Sequence, residues 1–357
     1  MGGSFVYSNP PVIHWGPGSL QVVRGELARL GARHPALVTT RSVETNADLT
    51  SAVWAGLGQP ASRVIAVIGQ HAPVHDIEAA VAIVAASPAD SIVSLGGGSP
   101  IDAAKIVAIQ AAERRGSSGG RLPHLALPTT LSGAELAAGA GFTDQSGAKV
   151  GSGDPRGLPD LVVYDAELTV ATPTLLWLSS GIRALDHAVE GYLAGGEHPL
   201  SDVLALEAVR RLFRTLPEAR HQPEDLRVKT ENQLAAWFSY TLPGPSANGL
   251  SHRLGKQIGA RHGIPHGITS CLLMPHVMLY LAPRRPLRMK QLASATGDGG
   301  DPTSAADDVS KLIAGLGLPQ RLGDFGLSEP DLRAAARALA DGDHSAAELL
   351  AVYHAAL

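Results

Sequence analysis

Ser91-Ile-Val-Ser-Leu-Gly-Gly-Gly-Ser-Pro-Ile-Asp-Ala-Ala-Lys105 is the stretch from which the fold can be read. It opens as a short apolar run suited to a buried strand and breaks at Gly96, Gly97 and Gly98. From Ser99 it continues as an amphipathic helix to about residue 115, with Ser99 as the expected N-cap and Asp102 in the first turn. Strand, glycine turn and helix N-terminus make an anion site, because free N–H groups and the helix dipole both face the turn. Glycine lets the backbone approach a pyrophosphate where a Cβ would block it. The spacing differs from G-x-G-x-x-G, whose third glycine would fall at Ile101. The alternative is a tight turn without a ligand. Asp102, and Lys105 one turn into the helix, favour phosphate binding.

Outward from this unit, the first half alternates strand-like and helical segments. Strands are expected at 5–15 (an edge strand, with prolines), 36–40, 63–68, 91–96, 124–128 and 161–164. Helices are expected at 19–30, 48–56, 76–86 and after the glycine turn. Such spacing implies βαβ units and a parallel sheet. Beyond residue 166 the pattern is helical almost without interruption, at 173–194, 199–216, 223–241, 249–259, 268–281, 305–315 and 329–340. The expected organisation is an α/β dinucleotide-binding domain at 1–165 and an all-helical catalytic domain at 166–357.

Composition narrows the class. The 357 residues are 45% apolar and 17% charged with net charge −4, as in an ordinary globular protein. The acidic balance and 4% aromatic content argue against nucleic acid as a partner. The one cysteine, Cys271, lies in an apolar run and reads as a buried, inert thiol. With no long apolar span and no leader pattern at the start, the expected setting is the cytoplasm, away from membranes.

The helical half holds a second constellation. In Ser180-Gly-Ile-Arg-Ala-Leu-Asp-His-Ala-Val-Glu190, Arg183 and His187 are four apart and share a helix face. His252 and Lys256 do the same in Gly249-Leu-Ser-His-Arg-Leu-Gly-Lys256. Pro265-His-Gly267 reads as a turn leading into the next helix. Any one of these histidines alone would read as a hydrogen-bonded core residue. Together, after a nucleotide-binding half, they read as a site.

These segments, with Leu127-Pro-Thr-Thr-Leu-Ser-Gly133, resemble the iron-containing (group III) alcohol dehydrogenases, a family that includes the maleylacetate reductases. The resemblance runs nearly end to end. It implies a dehydroquinate synthase-like architecture, with the nicotinamide in a cleft between an α/β and an all-helical domain, and a homodimer. It also implies that Gly96, Gly97, Gly98, Ser99 and Asp102 hold the pyrophosphate and nicotinamide ribose, and that Thr129, Thr130 and Ser132 line the nucleotide site.

The departures from the family pattern are informative. Metal-dependent members use three histidines, matched here by His187, His252 and His266, and an aspartate four residues before the first. This chain has Arg183 at that position, and Lys256 where many members have a further histidine. A guanidinium cannot ligate a cation. Asp186, about 100° around the helix from His187, does not supply the missing ligand. The expectation is therefore no bound metal; if one is held, His187, His252 and His266 are its ligands. The maleylacetate reductases, which also lack the aspartate and reduce a dicarboxylic unsaturated keto acid, are the nearer comparison. Arg183 and Lys256, neither of them the usual residue there, would bind the charge of a carboxylate-bearing keto or enone acid, with His252 or His266 handling the proton. The structural alternative for Arg183 is an ion pair with Glu190 or another interior acid, and for Lys256 a solvated helix face. A metal-dependent alcohol dehydrogenase and a non-redox enzyme on the same fold are the competing functions. Arg41, after the second strand, suits a 2′-phosphate, so NADP is expected as cofactor at least as readily as NAD.

Overall fold

In the computed structural model, residues 7, 9–58, 63–194, 199–240, 249–259, 261–297, 299 and 301–357 are described. The chain divides into two compact units, Met1–Thr172 and Pro173–Leu357.

The first unit is built on a parallel sheet. Its strands are β1 (Val12–Trp15), β2 (Pro35–Val38), β3 (Arg63–Ile65), β4 (Ser91–Gly96), β5 (His124–Pro128) and β8 (Leu161–Tyr164), in the order β1-β8-β5-β4-β2-β3. A separate antiparallel hairpin pairs β6 (Ala140–Thr143) with β7 (Lys149–Ser152). This hairpin is absent from the sequence expectation. Its signal was the Asp144–Gly147 turn, where the Asp144 carboxylate accepts from the N–H of Ser146 and of Ala148 and Gly147 has φ 82°.

Strands buried on both faces need apolar residues at successive positions, and β2, β4 and β5 have them. Ala36, Val38 and Ile92 face one side, under α4 (Val74–Ala85) and α5 (Gly98–Arg114). Leu37, Val93 and Leu95 face the other, under α1 (Val23–Arg29) and α3 (Ala47–Leu57); the short α2 (Arg41–Glu44) follows β2. From β2 the chain steps outward to β3, then returns to β4 and proceeds the other way. The carboxyl ends of β2 and β4 therefore flank the point where strand order reverses, the usual ligand crevice of such sheets. The Thr39 hydroxyl donates to the Leu95 carbonyl at 2.8 Å and ties these two ends together.

The second unit is helical: α6 (Thr174–Ala194), α7 (Pro199–His221), α8 (Leu226–Ser239), α9 (Leu250–Gly259), α10 (His266–Leu281), α11 (Pro286–Thr296), α12 (Ser304–Gly315), α13 (Glu329–Leu339) and α14 (Ala346–Ala355). α11 and α14 were not expected from the sequence. Each carried a start signal, Pro286 at the first turn of α11 and a Ser345–Glu348 capping box at α14. Helix α7 runs on to His221 through Pro217, past the expected end at 216. One core packs Leu250, Leu254 and Ile258 of α9 against Leu272, Leu273, Leu332 and Tyr353. No helix among the described residues is long and apolar enough to cross a membrane.

The seam lies after Thr172 rather than at 165. Residues 166–172 stay with the sheet because Thr172 donates its hydroxyl to the Thr129 carbonyl at 2.8 Å. Asp165, buried at the end of β8, accepts from the N–H groups of Gly18 (3.2 Å), Leu20 (2.8 Å) and Glu167 (3.0 Å). One carboxylate thus starts two helical turns far apart in sequence. Asp165→Ala should cost about 2–4 kcal/mol by orphaning these donors. Chemical denaturation checks this, and Asp165→Asn should recover part of the loss.

Candidate functional site

In the first unit the turn after β4 leaves Gly96 at φ 136° and Gly97 as the N-cap of α5, with no side chain capping the helix. The wall opposite comes from the segment after β5. A Cβ on Gly97 would lie 3.1 Å from Thr130 Cγ2, and one on Gly98 would lie 3.4 Å from Ser132 Oγ. Ser132 Oγ is buried and has no hydrogen-bond partner among the described residues. Thr129 and Thr130 are buried in the same wall. The sequence-predicted Gly96, Gly97, Gly98, Thr129, Thr130 and Ser132 are thus brought together around the N-terminus of a 17-residue helix.

Two expectations here change. Ser99 is not the N-cap; it lies inside α5, and its Oγ accepts the His71 N–H at 3.0 Å. Lys105 is no phosphate ligand: it is buried, and Nζ donates to Asp102 (2.9 Å) and to the carbonyls of Ala134 and Gly139 (2.6 Å each). A lysine one turn into the helix points inward when the sheet side of that helix is apolar. Asp102 binds Lys105 and the Gly141 N–H (3.0 Å), so it ties α5 to β6; each oxygen keeps a lone pair for a further donor. Arg41 begins α2 beyond β2, exposed and paired with Glu44 at 2.7 Å.

The second unit brings Arg183, His187, His252 and His266 together. The rings of His187 and His252 are 6.2 Å apart, and those of His252 and His266 are 6.3 Å apart and nearly parallel at 13°. His266 is the first residue of α10, capped by Pro265, rather than part of a free turn. Arg183 is buried. Nη1 donates to Asp186 Oδ2 (3.3 Å) and Ser270 Oγ (3.0 Å), and Nη2 lies 3.2 Å from His252 Nε2. The interior acid that pairs with Arg183 is therefore Asp186. A guanidinium only donates, so His252 Nε2 is the acceptor and the ring proton sits on Nδ1. That Nδ1 has no partner among the described residues. Lys256 is half-buried and forms no hydrogen bond or ion pair among them.

Sequence reasoning weighs Asp186 only as a metal ligand and Glu190 only as an ion-pair alternative for Arg183, and it passes over the serines around this group. Asp186 Oδ2 also accepts from Ser270 (2.6 Å) and Ser251 (3.0 Å). Glu190 Oε1 accepts the His252 N–H at 3.0 Å at the start of α9, so close that a Cβ on Gly249 would overlap the carboxyl group. Burial pushes Glu190 well above the ordinary carboxylate range, and nearby Asp186 adds to this. Burial also raises Asp186, opposed by Arg183 and the two serines. Both acids are thus held above the ordinary carboxylate range, Glu190 the more strongly. Burial, and then Arg183, hold His187 well below its ordinary range, so it is neutral at pH 7.

With this geometry in view, similarity to known proteins decides the family. Residues 10–166 match the iron-containing alcohol dehydrogenase family, and residues 177–348 match the C-terminal domain of the Fe-containing alcohol dehydrogenase family. The chain is 32% identical to maleylacetate reductase of Sphingobium indicum over 339 residues, 94% of this chain and 91% of that protein. This chain belongs to the iron-containing alcohol dehydrogenase family. It is an NAD(P)-dependent oxidoreductase. The crystal structure of maleylacetate reductase from Agrobacterium tumefaciens superposes with TM-score 0.84 at 28% identity, covering 99% of this chain and 98% of that one. The fold is also that of sulfoacetaldehyde reductase from Bifidobacterium kashiwanohense, solved in complex with NAD+ (TM-score 0.86, 23% identity, 99% of each chain).

The cradle at Gly97 and Gly98 and the orphaned Ser132 hydroxyl fit a dinucleotide pyrophosphate. The iron of the family name is a poorer fit. The position beside His187 holds a guanidinium, which occupies the Nε2 lone pair of His252. No three His, Cys, Asp or Glu side chains among the described residues are placed to hold a metal ion.

The raised Glu190 pKa makes stability pH-dependent with a definite sign. Its folded pKa lies above its ordinary 4.5, so its contribution is full below that value and is lost as pH rises through the raised one. Glu190→Gln copies the protonated acid. Its melting temperature should fall less between pH 5 and pH 8 than that of the unaltered enzyme. Equal slopes would mean that Glu190 is ionised in the fold.

Proposed function

We propose that this enzyme reduces a carboxylate-bearing keto or enone acid of the maleylacetate type with NAD(P)H, without a metal. The observation that carries this reading is the buried Arg183 guanidinium on His252 Nε2, at the position where metal-binding members have an aspartate.

The reduced nicotinamide, when bound, supplies the hydride. The residues of the chain do the rest. Gly97, Gly98 and the N-terminus of α5 hold the pyrophosphate, with Ser132 donating to it. Arg183 keeps Nε–H and one Nη2–H without a partner among the described residues, and these suit a carboxylate or the oxyanion formed on hydride arrival. Lys256 adds a second cation one turn beyond His252. His252, with its proton on Nδ1 and Nε2 held by the guanidinium, donates a hydrogen bond to the oxygen that gains charge on hydride arrival. His266, the neighbouring imidazole, is the histidine left to supply the proton that completes the reduction. The maleylacetate reductases to which the chain is similar support the substrate class. A homodimer is expected, and light scattering on the purified protein tests it.

Replacing Arg183 tests the site. Arg183→Ala and Arg183→Asp should each lower kcat/KM for a keto acid on the order of a hundredfold or more. Arg183→Asp should also gain divalent metal by mass spectrometry, since one carboxylate and three imidazoles suit a first-row metal. Wild-type efficiency in both variants would remove Arg183 from the substrate site. Stoichiometric metal in the unaltered protein would favour a metal-dependent alcohol dehydrogenase instead.

For the cofactor, Arg41 is at the end of β2, beside the reversal point of the sheet, and is engaged by Glu44. An exposed pair of this kind is worth little and yields readily to a phosphate. NADPH should therefore be used at least as well as NADH, and Glu44→Gln should raise the NADPH:NADH ratio of kcat/KM. A strong NADH preference unchanged by Glu44→Gln would exclude Arg41 from the cofactor site.

A further inference from the structure

We propose that Asp186 is a positioning residue, which holds the Arg183 guanidinium against His252 and so sets the tautomer of that imidazole. This rests on the proposed reading of Arg183 only for its kinetic consequence.

Asp186 is fully buried, and one oxygen, Oδ2, collects three donors from three helices. They are Arg183 Nη1 on α6 (3.3 Å), Ser251 Oγ on α9 (3.0 Å) and Ser270 Oγ on α10 (2.6 Å). Ser270 Oγ also accepts from the same Nη1 at 3.0 Å, which closes a triangle. A free arginine side chain has rotamer entropy to lose on being fixed. Because the guanidinium is planar, fixing Nη1 fixes Nη2 as well. The geometry delivers Nη2 to His252 Nε2 at 3.2 Å. Since Ser251 precedes His252, the carboxylate that anchors the guanidinium also anchors the backbone carrying its target.

Asp186 touches no position at which a substrate would react; its effect passes through Arg183. Without its charge the guanidinium loses its only ion-pair partner among the described residues. His252 is then free to exchange its proton between the two ring nitrogens. Asn at this position keeps the volume and presents N–H groups where donors already crowd.

The test uses full-length enzyme labelled with 15N-histidine, in two-bond N–H correlation spectra, with His252 assigned from a His252→Gln variant. The unaltered enzyme should show His252 protonated at Nδ1 and bare at Nε2. Asp186→Asn should show exchange between tautomers and a fall in kcat/KM for a keto acid of about tenfold to a hundredfold. In an Arg183→Ala background the same substitution should cost less than about threefold, because the pair acts as one unit. If Asp186→Asn does not fold, Ser270→Ala, which keeps every charge, should give the same spectral change at smaller amplitude. An unchanged His252 pattern in the folded variant overturns the positioning, as do losses that multiply in the double variant. Should Arg183→Ala reduce keto acids at full rate while the Asp186→Asn spectrum shifts, the positioning stands and the substrate role of Arg183 falls.

Discussion

A guanidinium buried in a helical core cannot lose its charge, so everything packed around Arg183 is arranged to satisfy a fixed cation. Desolvation costs several kcal/mol per ion, and the offset must come from close countercharge and well-placed hydrogen bonds. Asp186 supplies the countercharge from the same helix, and Ser251 and Ser270 bring α9 and α10 to the same oxygen. Glu190, pushed well above the ordinary carboxylate range by burial and by nearby Asp186, accepts the His252 N–H and caps the start of α9. Gly249 then follows from the packing, since a side chain there would overlap Glu190. Gly267 follows in the same way, since its Cβ would lie 2.6 Å from the Ser179 carbonyl.

The chain buries a second cation, and the comparison separates structure from chemistry. Lys105 has three donors and three partners, two of them backbone carbonyls. Nothing remains to offer a ligand, and the residue acts as a staple between α5 and the segment leading to β6. Arg183 has five N–H groups and uses three among the described residues. Residual donor capacity beside an imidazole, rather than charge or burial alone, sets Arg183 apart from Lys105 as the candidate for a site.

The architecture was legible because its signals are long and redundant. Apolar runs in β2, β4, β5 and β8, spaced by helical periods, leave few options besides a parallel sheet, and the glycine turn is visible residue by residue. Short, polar or late elements were harder: the β6–β7 hairpin has only four-residue strands, and α11 and α14 showed themselves by their caps alone. At the site, Arg183, His187 and His252 were read from helix spacing. Asp186 was set aside by the same geometry, because it points about 100° away from His187. That angle governs Cβ directions. A long arginine side chain bends to an acid three residues on, and serines on two other helices make that acid the hub; neither fact is encoded in the spacing along α6. Lys105 misled for the opposite reason, since a lysine near a glycine turn reads as a phosphate ligand until the helix is docked and its face is buried.

Charge counting explains how one architecture can accept either kind of centre. In the metal-binding pattern that this family resembles, a divalent cation and its aspartate carry a net charge of about +1 among neutral imidazoles. On the metal-free reading Arg183 carries the same +1 in the same place. The surrounding acids, Asp186 and Glu190, would therefore meet a similar field in either case. A carboxylate at position 183 without a metal would be different in kind. It would place three acids in one buried cluster with no cation between them, a state that only proton uptake or a bound cation relieves. On the metal-free reading the arginine is an electrostatic replacement for the whole metal–carboxylate pair rather than a lost ligand.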